Sequence, residues 1–175
     1  MIRNRRSIRK YRNKEVSDGV LMKVLEAGVW APFASQRWIL ITVREHETKS
    51  TMLDRFYAEG RNLHVLNAPV DIIVCCDFRD KDWPKLQRKN HGKEDFKQLF
   101  SVQETAAMIQ NMLLTAHELG LGACWNGSFD EKHVASALKI PNGIRPVAII
   151  SLGYPDEEPT PPKRKNLEKI LYSER

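Results

Sequence analysis

A chain of 175 residues, 42% hydrophobic and 29% charged, can bury roughly 70% of its unfolded surface, which excludes a disordered or fibrous protein. The net charge of +6 and a pI near 9.3 point to an anionic ligand or partner without choosing among them. No stretch approaches the ~20 apolar residues of a membrane span, and Glu15 and Asp18 interrupt the start where a secretory signal would turn apolar, so a cytoplasmic protein without a membrane partner is expected.

The chain opens on "NRRSIRKYRNK", Asn4 to Lys14, which is strongly basic and has no acid before Glu15. Ser17 then reads as an N-cap, with Val16 and Leu21 placed as a hydrophobic staple. Leu21, Val24, Leu25 and Val29 continue at helical spacing until Pro32. "WILITV", Trp38 to Val43, predicts a buried strand. The stripe Met52, Leu53, Phe56 predicts a polar helix over Glu47 to Glu59. "VDIIVCC", Val70 to Cys76, is apolar on both faces and predicts a central strand. Arg79 to Gln98, rich in charge and holding Pro84 and Gly92, reads as a surface excursion. Ser101-Val-Gln-Glu104 has the form of a capping box that starts the longest helix, which Gly120 ends. That helix is apolar around most of its circumference, which implies burial on several sides or against a partner subunit. A short strand near Ala123–Trp125, a helix capped by Asp130 and the strand "PVAIISLGY" follow. The tail carries four prolines at its front, and Leu167 to Tyr172 can form a docking helix or strand. Helices and strands in this order give an α+β or mixed α/β layer architecture.

Several chemistries drop out. There is no GxGxxG after a strand, no GxxxxGK[ST] and no GxSxG. The five histidines form neither HExxH nor a close pair, so no metal site is expected. Cys75, Cys76 and Cys124 lie in apolar runs without CxxC spacing and read as buried reduced thiols. The basic clusters remain, one at the front and one at Lys163, Arg164 and Lys165. Arginine's planar fork suits a phosphate dianion. Arg5 and Arg9 are spaced one helical turn apart with the Ser7 hydroxyl between them, so R-x-S-x-R can enclose one phosphate if the chain turns there. A solvated basic end is the plainer alternative. Nucleic acid is disfavoured, since neither a recognition motif nor an aromatic stacking platform is visible.

"RRSIRKYRNKEVSDGVLMKVLEAGVWAP" resembles the opening of the FMN-dependent nitroreductase family, R-[RH]-S-x-[RK]-x-[YF] followed by a helix and an Ala-Pro turn. "ETAAMIQNMLLTAHELGLGACWNGSFDEKHVASALKIPNGIRPVAIISLGYPDEEP" is similar to that family's Q-N-x-x-L helix, W-x-G-x-F-[DE] loop and G-Y-P closing strand. The resemblance covers essentially the whole chain. It implies an α+β sandwich, a mixed, mostly antiparallel sheet flanked by helices, and an intertwined homodimer with FMN at the subunit interface. Residues 1–175 would then be one FMN-binding domain, with 156–175 an extension packed on the partner subunit. By the same resemblance Arg5, Arg6, Ser7 and Arg9, with Lys163, Arg164 or Lys165, hold the FMN phosphate. Asn62 would meet the flavin ring, and Trp125, Gly127 and Ser128 would border it near N5. Trp125 can equally be core.

One departure stands out. The family's A-P-S-x-x-N-x-Q-P-W turn is here "APFASQRW", Ala31 to Trp38, two residues shorter, with Phe33 at the serine position. Flavin contacts from Ser35, Gln36 and Arg37 are therefore less secure. The implied activity is NAD(P)H-dependent reduction of a nitroaromatic, a quinone or a similar acceptor by hydride transfer through flavin N5, with no obligatory side-chain acid or base. A flavin-binding sensor or carrier with little turnover, or another flavin reductant such as a dehalogenase, fits the same residues.

Overall fold

The structure, a computed structural model, describes residues 2–33, 36–53, 63–79 and 93–172, with the backbone alone for 93–97. Its centre is an antiparallel sheet of four strands in the order β1-β2-β4-β3. These are β1 (Trp38–Val43), β2 (Val70–Asp77), β3 (Gly122–Asn126) and β4 (Ile144–Gly153). Helices α1 (Asp18–Val29), α2 (His46–Met52), α3 (Leu63–Asn67), α4 (Lys93–Glu118) and α5 (Glu131–Ala137) cover it.

Strand alternation sorts the side chains into two layers. Val70, Ile72 and Val74 of β2, with Ala148, Ile150 and Leu152 of β4, pack on α1 and α4 through Val24, Met108, Ile109 and Met112. Ile73, Cys75 and Ile149 face the other way, onto Met52, Val65 and Val134 of α2, α3 and α5. The sheet is thus sandwiched between helices, and β2 is central and buried as its unbroken apolar run implies. β1 differs from expectation. It pairs with β2 alone among the described strands and is only partly buried, so "WILITV" is an edge strand with its apolar residues shared between the two layers.

The long helix also corrects the reading of its start. It is already helical at Lys93, so Ser101 and Glu104 lie inside it, buried, and the capping box does not operate. No Gly or Pro separates Lys93 from Ser101, so nothing stops the helix from extending through that point. Thr105 Oγ1 donates back to Ser101 O at 2.7 Å and accepts from the Cys76 thiol at 3.1 Å. Gly120 ends the element with φ +77°, as expected of a helix-terminating glycine. Residues 80–92 of the predicted excursion and 54–59 of the predicted second helix lie outside the described residues. Ser17 stands at the N-cap of α1, but its carbonyl, not its hydroxyl, takes the helix N–H groups.

The opening segment is extended along the sheet rather than helical. Ser7 bridges Ala123 in parallel, with Ile8 N–H donating to Ala123 O at 3.1 Å, and Tyr11 bridges Pro155 antiparallel. The first of these contacts depends on a missing side chain. A Cβ on Gly122 would stand 2.7 Å from three carbons of Ile8, closer than real contacts allow. Gly122→Ala is therefore expected to lift the opening segment and destabilise the fold by about 1–3 kcal/mol. Urea denaturation measures it, and a change under about 0.5 kcal/mol would contradict the packing.

Candidate functional site

The opening segment is extended beside β3, and Arg5, Arg6 and Ile8 line one cavity there. Arg5, Ser7 and Arg9 all act on Cys124 of β3, from an extended stretch and not from the helical turn that their spacing suggested. Burial pushes the Cys124 thiol up, while Arg9, a hydrogen bond to Ser7, and Arg5 draw it back, in that order of size. Two guanidinium groups and a hydroxyl on one short segment make a donor set suited to an anion with several oxygens.

The Arg6 guanidinium donates to Arg3 O at 2.7 Å and to Arg5 O at 2.9 Å. With Arg5, Arg12, Leu113, His117 and Glu157, Arg6 lines a cavity of about 600 Å³ between the opening segment, the end of α4 and residues 155–159.

Beside Cys124 lies a polar contact that the sequence patterns did not single out. His64 on α3, buried, places Nε2 2.7 Å from Asn126 Oδ1 at the end of β3. The Asn126 amide nitrogen donates to Ile149 O at 3.0 Å and Cys124 O at 3.2 Å. With both amide protons committed, Oδ1 must accept, so His64 is the Nε2–H tautomer. Burial lowers the His64 pKa; the Asn126 bond raises it, and the Arg9 charge lowers it again.

A further unforeseen residue is Glu157. Its Oε1 accepts from the backbone N–H of Arg9 and, at 3.1 Å, from that of Lys10. Tyr11 completes the tie. Its hydroxyl, 2.6 Å from Ile8 O, donates there and lies 2.9 Å from Ser151 Oγ. Burial drives the tyrosine's pKa far above its ordinary value. Tyr11 stands at the [YF] position of the opening motif, whereas His64, Asn126 and Glu157 have no motif signal, because each is identified only by a contact across 60 or more residues of chain.

The remaining predicted residues are more scattered. Strand alternation puts Trp125 on the α1/α4 side with Ala123, opposite Cys124, and it is 40% exposed, so it is neither core nor part of the arginine face. Gly127 and Ser128 are exposed in the following loop. Gln36 is exposed at φ 47°, whereas Arg37 is buried and its carbonyl accepts from Asp77 N–H at 2.9 Å. Ser35 and Asn62 lie outside the described residues. Lys163, Arg164 and Lys165 are exposed on the tail, and within this single chain no described contact joins them to Arg5, Ser7 or Arg9.

The family model of the nitroreductase family matches residues 2–154. A Methanothermobacter thermautotrophicus relative, whose name carries both NADH dehydrogenase and NAD(P)H nitroreductase, is 36% identical over 96% of this chain and 85% of its own. The NADH dehydrogenase of Thermus thermophilus is 30% identical over 95% of this chain and 91% of its own. Among solved structures, an FMN-dependent nitroreductase from Clostridium difficile superposes with a TM-score of 0.71 at 29% identity, covering 98% of this chain and 95% of its own. The sandwich of helices on an antiparallel sheet and the opening arginine segment therefore have one common source: the chain belongs to the nitroreductase family of oxidoreductases.

Proposed function

We propose that this chain is an FMN-dependent oxidoreductase that uses NAD(P)H to reduce nitroaromatic, quinone or similar acceptors. The observation that carries the proposal is the docking of the Arg5–Arg9 segment along β3 through Ser7 and Ile8, with Arg5, Ser7 and Arg9 all acting on Cys124, in the segment that matches the family's opening. The donor set fits the phosphate of FMN: two charged forks and a hydroxyl, on a strand held at both edges. The chemistry that FMN supplies is hydride acceptance at N5 and electron delivery to the acceptor, while the protein contributes position and charge. Arg5, Ser7 and Arg9 would hold the phosphate, and Lys163, Arg164 and Lys165 would approach it from the tail. Gln36, Gly127, Ser128 and the indole of Trp125 are available to border the ring, with Ser35 and Asn62 proposed by position in the family pattern.

We assign residues 1–175 to one domain that works as a homodimer. Support comes from exposed apolar side chains with no cover in the single chain. Leu167, Ile170, Leu171 and Tyr172 on the tail are more than half exposed, as are Met22, Val29 and Trp30 of the α1 end. Burying such surface against a partner gives roughly 25 cal/mol per Å². The tail, from 156 onward, would be the element that crosses to the other subunit. Three buried free cysteines fit a reducing compartment, so we place the protein in the cytoplasm. Sedimentation at micromolar concentration should show a dimer that 156–175 deletion dissociates; a flavin-loaded monomer would contradict this.

The phosphate assignment separates two flavins with the same ring. Arg5→Ala and Arg9→Ala should each weaken FMN by roughly 10- to 150-fold, since a hydrogen bond to a charged group contributes about 1.5–3 kcal/mol. Riboflavin, without a phosphate, should change by no more than about twofold. Titration of apo-protein with each flavin measures both. Equal losses for the two flavins would overturn the assignment, as would an FMN effect that vanishes in high salt.

A further inference from the structure

The segment that carries Arg5, Ser7 and Arg9 is held on its other edge by residues 154–157. Arg12 N–H donates to Tyr154 O and Asp156 N–H to Lys10 O, each at 2.9 Å. Between these bonds Tyr11 faces Pro155 as a pair that exchanges none of its own, so the missing proline N–H costs nothing. At the next position the ladder changes character. Lys10 N–H does not go to a main-chain carbonyl but to the Glu157 carboxylate, which also takes the Arg9 N–H.

Two successive backbone N–H groups converging on one oxygen form the kind of donor pair that binds anions in loops. Here the protein's own carboxylate occupies it. Three acids stand in a row at this point, but they are not equivalent. Asp156 is exposed and faces Arg12 at 3.9 Å, and Glu158 is exposed. Only Glu157 is half-buried against the arginine segment. Its charge acts on Cys124, His64 and Tyr11, and the Arg9 charge acts on Cys124 and His64 with the opposite sign.

We propose that Glu157 is a positioning residue and a resident anion of the Arg5–Ser7–Arg9 face: it fixes the backbone at Arg9 and Lys10 and limits how tightly a phosphate binds there. The inference deepens the phosphate reading above and rests on it. With these two backbone N–H groups already taken by Glu157, an incoming phosphate is left to side-chain donors and meets a carboxylate beside them. Affinity for a dianion is thereby held below what two arginines alone would give, and the bound phosphate compound stays exchangeable.

Tie and charge separate in two substitutions. Glu157→Gln retains an acceptor oxygen of the same reach and loses the charge, so it should tighten binding of FMN and of inorganic phosphate by about three- to tenfold. The gain should shrink in high salt, and riboflavin should stay within about twofold. Glu157→Asp keeps the charge and shortens the arm, so it should show no gain. Glu158→Gln removes the same charge at the exposed neighbour and should also show none. Titrations with FMN, riboflavin and inorganic phosphate, at low and high salt, measure all of this, with melting temperatures recorded alongside. Unchanged or weaker phosphate binding by Glu157→Gln would overturn the proposal, as would an equal gain from Glu157→Asp or Glu158→Gln. The phosphate arm keeps the two readings apart. Tighter phosphate without any flavin uptake would sustain the role of Glu157 and sink the flavin reading; FMN uptake without a gain in Glu157→Gln would do the reverse.

Discussion

Ile8 lying on the bare backbone of Gly122 is the contact on which the candidate site depends. It lets the opening segment approach β3 closely enough to share a hydrogen bond with Ala123. Residues 154–157 then close the segment's other edge. An arginine-rich stretch would otherwise be a solvated end, repelled by its own charge. Held extended between two edges, its arginines are fixed relative to β3, and the net positive charge of the chain becomes a local feature with geometry.

The two layers beneath that site are built differently. On the α1/α4 side the packing is mainly apolar, with Met108 and Met112 filling the close approach of α1 at Gly28. The α2/α3/α5 side carries charge and amide groups inside. Lys49 Nζ stands 2.9 Å from Asp71 Oδ2 with both side chains out of solvent, and it also donates to Ala68 O. Burial pushes the Asp71 carboxyl up to about 7, with Lys49 opposing. Such a pair contributes little net stability over an apolar substitute, but it is costly to break singly, so it favours one arrangement of α2 against β2. The His64–Asn126 bond does the same between α3 and β3. The arginine segment acts on this polar layer, through the charge of Arg9 on Cys124 and His64.

What the amino-acid order made legible followed from periodicity and from residues with local work to do. The buried run Val70–Cys76 could only be a central strand, Asp130 caps α5 by accepting from His133 N–H at 2.9 Å, and Gly120 stops α4. Readings failed where a local pattern had a second physical solution. Ser101 and Glu104 satisfy a capping box, yet the same spacing fits a helix interior when no breaker precedes it. Arg5 and Arg9 are four apart, which suits one helical turn and two strand repeats equally, and only the pairing with β3 decides between them. Glu157, His64 and Lys49 were invisible for a simpler reason: each acts through a partner far away in sequence, and nothing in its own neighbourhood marks it.

The central claim, that the arginine face belongs to a working FMN site, is tested most directly by the visible absorption spectrum of the purified protein before and after anaerobic addition of NAD(P)H. The account predicts a yellow protein that bleaches on addition of the nucleotide and releases FMN when denatured. A colourless protein that takes up neither FMN nor riboflavin would contradict it.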